Sequence, residues 1–302
     1  MLHKDAQKEK SQAALNSVIA AVGLTAFKIV VGLITNSLGI LAEAAHSALD
    51  LAAALMTLFA VRVADQPADR EHPFGHGKTE NLSALFETLL LLATSAWIVY
   101  EAIHRLMTPG VHVDVSIWAF IVMGTSIVVD FSRSRMLLAA AKKHNSQALE
   151  ADALHFSTDV WSSSVVIVGL IGVWIASFVP ALAFLEKADA IAALGVALIV
   201  IYVSGELGYR TIQALLDSAP GGMPAQIKQA AESVPGVIDC HAVRIRPSGA
   251  HWFVDLHVTM DGGRTLEDTH TSTEEIERRV QKILSRADVT VHAEPIDLPA
   301  SP

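Results

Sequence analysis

Gly39–Ala64 reads GILAEAAHSALDLAAALMTLFAVRVA, an apolar run interrupted by Glu43, His46 and Asp50. Roughly 20 apolar residues cross the hydrocarbon core of a bilayer as a helix, and this run is long enough. An ionisable side chain at that depth is costly unless something compensates it, so such residues mark function. Residues four apart share a helix face, which points His46 and Asp50 the same way. The stretch therefore predicts a membrane helix with one polar, working face.

Five more segments share this length and apolarity, namely Ala13–Thr35, Thr79–Met107, Ser116–Ala141, Leu149–Val179 and Ala190–Tyr209. Six spans follow. The whole composition agrees: of 302 residues 52% are hydrophobic and 18% charged, against about a quarter charged in soluble domains. Lysines and arginines concentrate on one side of such a topology, from Lys4, Lys8 and Lys10 through Arg62, Arg70 and Lys78 to Arg133, Lys142 and Arg210. Only Arg105 and Lys187 fall on the other side. That bias predicts an integral, multi-pass protein with both termini in the cytoplasm. The polar start MLHKDAQKEKSQ does not read as a cleaved leader. A net charge of -9 argues against a nucleic-acid partner. The single cysteine, Cys240, excludes an intramolecular disulfide or a multi-cysteine zinc site.

The pattern of the second span returns in the fifth, where EADALHFSTDVWSSS carries His155 and Asp159. Two faces, each with an imidazole and a carboxylate, give two nitrogens and two oxygens when turned together. Zinc takes such a shell tetrahedrally, and softer divalent ions suit it better than magnesium or calcium. Glu43 and Asp152 each precede their histidine by three residues and share its face, as groups behind the ligands or on a proton path.

After Tyr209 the character changes. Asp217-Ser-Ala-Pro-Gly-Gly reads as a linker. Beyond it, Pro224–Ser233 and Leu266–Ser285 have helical patterns, while Ile238–Arg246, His251–Thr259 and Val289–Ala293 read as strands. An αββαβ order predicts a small soluble domain with helices on one face of a sheet. The division is a transmembrane domain over 1–212, a soluble domain over 213–297 and a tail over 298–302. No Gly-rich phosphate loop and no internal repeat is evident. Asp69, His72 and His76 stand between spans two and three, among Pro73, Gly75 and Gly77. Their spacing suits either a solvated loop or a turn that brings three ligands to one ion. In the soluble part, His292 and Glu294 share a strand face, His241 and His257 lie on neighbouring strands, and His270 approaches from a helix. Cys240 reads as a small strand residue beside His241, and His251 as solvent-exposed.

AEAAHSALDLAAALMTLFAVRVADQPAD, HPFGHGKTENLSAL and EADALHFSTDVWSSSVVIVG together resemble the cation diffusion facilitator family. The resemblance covers nearly the whole chain. It implies six transmembrane helices with a cytoplasmic αββαβ domain of ferredoxin- or metallochaperone-like fold. It also implies a homodimeric metal/proton antiporter in a prokaryotic inner or plasma membrane, whose transport site is His46, Asp50, His155 and Asp159. The family's second metal site matches Asp69, His72 and His76, with Glu71 as a substitute ligand. Its cytoplasmic binuclear site matches His241, His257, His270, His292 and Glu294, and its interdomain charge pair matches Lys78 and Asp217. Histidine at the first transport position resembles the zinc-preferring branch, so Zn2+ is the expected transported and regulatory ion, with Cd2+, Fe2+ and Co2+ as alternatives.

Two positions depart from the pattern. Glu294 stands where Asp is common, and the connection between spans four and five is only Lys142-Lys-His-Asn-Ser-Gln, where many zinc-branch members carry a long His-rich loop. Rival readings are a metal-gated channel or membrane metal sensor without antiport, and an intramembrane metallohydrolase. An enzyme needs an open coordination position and a general base, whereas this quartet closes the shell.

Overall fold

The computed structural model describes residues 2–107, 117–176 and 185–296. The predicted ends Ser116 and Val179 and the 298–302 tail lie outside them. Two compact units are present: residues 1–66 with 79–211, and residues 67–78 with 212–302.

The first unit holds six long helices: α1 (Leu2–Thr35), α2 (Leu38–Ala64), α3 (Lys78–Met107), α4 (Ile117–His144), α5 (Gln147–Ala176) and α6 (Leu185–Leu215). Among the described residues α1, α2, α3, α4 and α6 are apolar enough to cross a membrane on length and hydropathy alone. Helix α5 has 30 residues, about 45 Å of rise, which is long enough to cross a bilayer. The chain is a multi-pass helical membrane protein. Large apolar side chains such as Leu38, Phe59, Trp97, Trp161 and Tyr202 face outward, as lipid contact requires.

Helices α1, α2, α4 and α5 share a core that includes Ala14, Val18, Leu58, Leu137, Leu149 and Phe156. The Arg133 guanidinium lies 3.4 Å above the Phe156 ring centroid, which lets a charged group cover an apolar one. Gly208 on α6 has no side chain at the point where Thr88 of α3 approaches.

A short structural repeat joins the helices. Asn36-Ser37 links α1 to α2, and Asn145-Ser146 links α4 to α5. Both asparagines are left-handed, with φ of 50° and 52°, a conformation that closes helices. The amides of Ser37 and Ser146 donate back to the carbonyls of Gly32 and Ala141, each at 3.1 Å. Each hydroxyl then accepts from the amide three residues on, Ile40 or Leu149, at 3.4 Å. Two helical hairpins thus turn on the same dipeptide, too short to register as sequence periodicity.

The second unit follows the predicted order. Its elements are α7 (Met223–Glu232), β1 (Val237–Ser248), β2 (His251–Met260), α8 (Leu266–Ile283) and β3 (Ala287–Pro295). The sheet order is β1-β2-β3, with β1 and β2 antiparallel and β2 and β3 parallel. A parallel pair needs a crossover, which α8 supplies. Thr265 caps α8 by accepting from the Asp268 amide at 3.1 Å. Its buried face runs Ser272, Ile276, Val280, four apart as a helix requires, and packs with Ile227, Val254, Leu256 and Val258 in one core.

Residues 67–78 belong to this second unit rather than to the helical one, a difference from the division drawn at 212. The reason is local. Phe74 meets Phe253 edge-on with centroids 5.2 Å apart, Arg246 stacks 4.0 Å from the Phe74 centroid, and Gly77 lies against the backbone of Ser248.

Candidate metal centres

Helices α2 and α5 bring the four intramembrane residues together. His155 Nε2 lies 3.2 Å from Asp50 Oδ1 and 3.6 Å from Asp159 Oδ2. His46 Nε2 lies 3.9 Å from Asp50 Oδ1. Ligand atoms of His46, Asp50 and Asp159 all fall within 4.8 Å of one another. Tetrahedral zinc with bonds near 2.05 Å separates its ligand atoms by about 3.4 Å. The gaps of 3.2 and 3.6 Å at His155 are of that size, while the group within mutual reach of one ion is His46, Asp50 and Asp159, without His155. The site is graded in access: the His155 side chain is 6% exposed and that of His46 43%.

The loop residues also converge. His72 Nδ1 and His76 Nε2 lie 3.3 and 3.5 Å from the two oxygens of Asp69, and the histidine ring centroids are 4.2 Å apart. The turn is built by Asp69 itself, whose Oδ1 accepts from the amides of His72 at 2.6 Å and Glu71 at 2.9 Å. The His72 amide holds the Asp69 carboxyl below its ordinary range, keeping it anionic and ready to ligate. Glu71 is outside this three-residue cluster, and its amide donates to Asp69.

In the sheet, His241, His257 and His292 stand side by side, since register pairs His241 with His257 and His257 with His292. Glu294 gathers them. Its oxygens lie 2.9 Å from His257 Nδ1, 3.2 Å from His241 Nε2 and 3.7 Å from His292 Nε2. The hydrogen bond from His257, and then the other imidazoles, hold its carboxyl below the ordinary value. His270 stands apart, 3.4 Å from Glu274 on its own helix, and joins no cluster among the described residues. Cys240 is buried in the apolar core and faces away from these ligands. Lys78 Nζ pairs with Asp217 Oδ1 at 2.7 Å and donates to the Leu215 carbonyl at 3.3 Å.

Residues 14–216 match the cation efflux transmembrane domain, and residues 220–296 match the cation efflux protein cytoplasmic domain. The chain belongs to the cation diffusion facilitator family. Among its relatives is the cation-efflux pump FieF of Yersinia enterocolitica, 34% identical over 288 residues that cover 94% of this chain and 92% of the relative. The FieF pump of Salmonella arizonae is 33% identical with the same coverage. A nickel form of the MamM CTD is similar over 26% of this chain and 100% of its own, at 26% identity and a TM-score of 0.25. As a member of the cation diffusion facilitator family, the chain is a transporter of divalent metal cations and not an enzyme.

Several charged residues around the quartet escaped the sequence reading. Lys28 donates to Ser47 Oγ at 2.8 Å and pairs with Glu43 at 3.2 Å, which gives Glu43 a partner of its own. Arg133 binds Asp130 at 3.0 Å and Ser17 at 3.1 Å, and Ser17 reaches Asp152, which is fully buried. Glu87, also fully buried, lies 3.4 Å from His155 Nδ1. The available signal was simple: each is an ionisable residue inside an apolar run.

Proposed function

We propose that the protein exports Zn2+ from the cytoplasm in exchange for protons, by alternating access at His46, Asp50, His155 and Asp159. The observation that carries this reading is that His46, Asp50 and Asp159 come within mutual reach of one ion, with His155 Nε2 3.2 and 3.6 Å from the two carboxylates. Electrostatics adds support. Six carboxylates lie in this region, on Glu43, Asp50, Glu87, Asp130, Asp152 and Asp159, against the basic side chains of Lys28 and Arg133. A dication offsets that excess.

Imidazole binds metal only when neutral, so metal and protons compete for the same nitrogens. Loading from the cytoplasm releases protons, and protonation from a more acidic outer side expels the ion. In this reading both termini are cytoplasmic, the protein is a homodimer, and Zn2+ also occupies the loop and sheet clusters as a regulator. Lys78 and Asp217, both in the second unit, tie the loop segment to the chain that follows α6.

Uptake of Zn2+, Cd2+, Fe2+ and Co2+ into proteoliposomes under an imposed pH gradient tests the proposal. Transport that needs the gradient, prefers Zn2+ and vanishes in Asp50→Ala and Asp159→Ala is expected. Retained transport in either variant contradicts the site; transport indifferent to the gradient contradicts the exchange.

A further inference from the structure

Helix α3 contributes no residue to the quartet, yet it sends one buried carboxylate to it. Glu87 is 0% exposed and stands in the apolar sequence LFETLLLL. Its Oε2 lies 3.4 Å from His155 Nδ1, and neither atom has a hydrogen-bond partner elsewhere. The other nitrogen of the same ring, Nε2, faces Asp50 and Asp159. Thr57 holds the far oxygen of Glu87, with Oγ1 3.4 Å from Oε1. Thr57 lies two helical turns beyond Asp50 on α2, so both ends of the carboxylate are tied to helices that carry ligands.

A neutral imidazole has one N–H and one lone pair, and the hydrogen bond at one nitrogen decides which is which. A ligating histidine normally donates its remote N–H to a carboxylate or carbonyl, which fixes the ring and strengthens the metal bond. Among the described contacts of His155, Glu87 is the group at the remote nitrogen. Left without it, that N–H would be a buried donor with no acceptor, a costly arrangement.

Building on the site assignment above, we propose that Glu87 is a positioning residue for the transported ion. It accepts the hydrogen bond of His155 Nδ1–H and thereby commits the Nε2 lone pair to the cargo. At 3.4 Å the contact is at the long end for a hydrogen bond. Because α3 supplies this acceptor, a displacement of α3 weakens the ligand without touching the ion.

The test uses the full-length protein in proteoliposomes with Zn2+ as the only metal. Glu87→Met keeps an unbranched side chain and removes the acceptor. Glu87→Gln keeps a carbonyl oxygen that accepts from Nδ1–H. We expect Glu87→Met to raise the KM for Zn2+ about 10- to 100-fold, the effect usual for groups that orient a metal ligand. Its rate at saturating metal should stay within about threefold, and Glu87→Gln should restore most of the KM, since only ligand affinity is altered. A parental KM in Glu87→Met, or a Glu87→Gln as impaired as Glu87→Met, overturns the proposal. Asp50→Ala runs alongside: if it is inactive while Glu87→Met is parental, this inference alone fails. If Asp50→Ala still transports, the site assignment fails with it.

Discussion

Gly77→Ala is the sharpest test of how the loop cluster is mounted. A Cβ added at Gly77 would lie 2.2 Å from the carbonyl oxygen of Ser248, 2.6 Å from its carbon and 2.8 Å from its hydroxyl. Ordinary contact begins near 3.4 Å, so one backbone must retreat by roughly 1 Å in close-packed surroundings. Two of the three atoms are main chain within or at the end of β1, which ladder bonds to β2 hold in place, so the loop is the side that yields. Overpacking of this kind costs about 1–3 kcal/mol, which raises the undocked population about 5- to 150-fold. Hydrogen exchange reads that population directly. The reporters are the His72 amide, bonded to Asp69 Oδ1 at 2.6 Å, and the Gly75 amide, bonded to the His72 carbonyl at 2.9 Å. Their exchange should accelerate by that factor, and Zn2+ binding at the loop should weaken with it. Gly124→Ala, which has nothing within 4 Å of its added Cβ, serves as the control and should change neither. Exchange in Gly77→Ala within about twofold of the parent would refute the docking.

Lys10 is 1% exposed and bonds Asp65 at 2.7 Å and Glu80 at 2.8 Å, while Ser146 donates to the same Glu80. Lys10→Met leaves two buried carboxylates uncompensated, so SDS titration should show a loss of about 3–5 kcal/mol; an unchanged midpoint would show the clasp to be idle. The Glu294 carboxyl is held below its ordinary 4.5 by the His257 hydrogen bond, so the folded state binds its proton more weakly than the unfolded chain. Its stabilisation stands above the ordinary value and is lost as pH falls through the lowered one. Thermal melts of metal-free protein below pH 4.5 should show a shallower decline in Glu294→Gln than in the parent; identical slopes would sink the assignment.

What the sequence revealed is what local geometry encodes. His46 with Asp50, and His155 with Asp159, are one helical turn apart, and that spacing is visible without a structure. The αββαβ order was likewise legible, because Ile276 and Val280 recur at helical spacing and β2 alternates buried Val254, Leu256 and Val258 with more exposed neighbours. Glu87 was passed over because its partner is 68 positions away on another helix, and a single acid in a long apolar run left the span's hydropathy high. Lys10 was counted only as a charge for topology, though its carboxylate partners sit at the end of α2 and the start of α3. His270 was matched to the sheet histidines through the family resemblance; on α8 it lies 3.4 Å from Glu274.

The repeated junctions explain why the two His–Asp pairs meet. His46 and Asp50 follow the capping Ser37 by the same number of residues as His155 and Asp159 follow Ser146. The shared cap geometry fixes where each helix begins, so each pair sits at the same height along its helix. At 1.5 Å per residue that height is roughly 14–20 Å, about half of the ~30 Å hydrocarbon core. In a chain of six successive crossings, spans two and five run in opposite directions, so their starting caps lie at opposite membrane faces. Equal heights measured from opposite faces coincide only near the midplane, where transporters built from inverted elements hold their cargo. A residue inserted between Ser37 and His46 would rotate that pair by about 100° and raise it by 1.5 Å, separating it from its counterpart. Insertion at this point should therefore abolish transport in proteoliposomes, and parental transport would refute the argument.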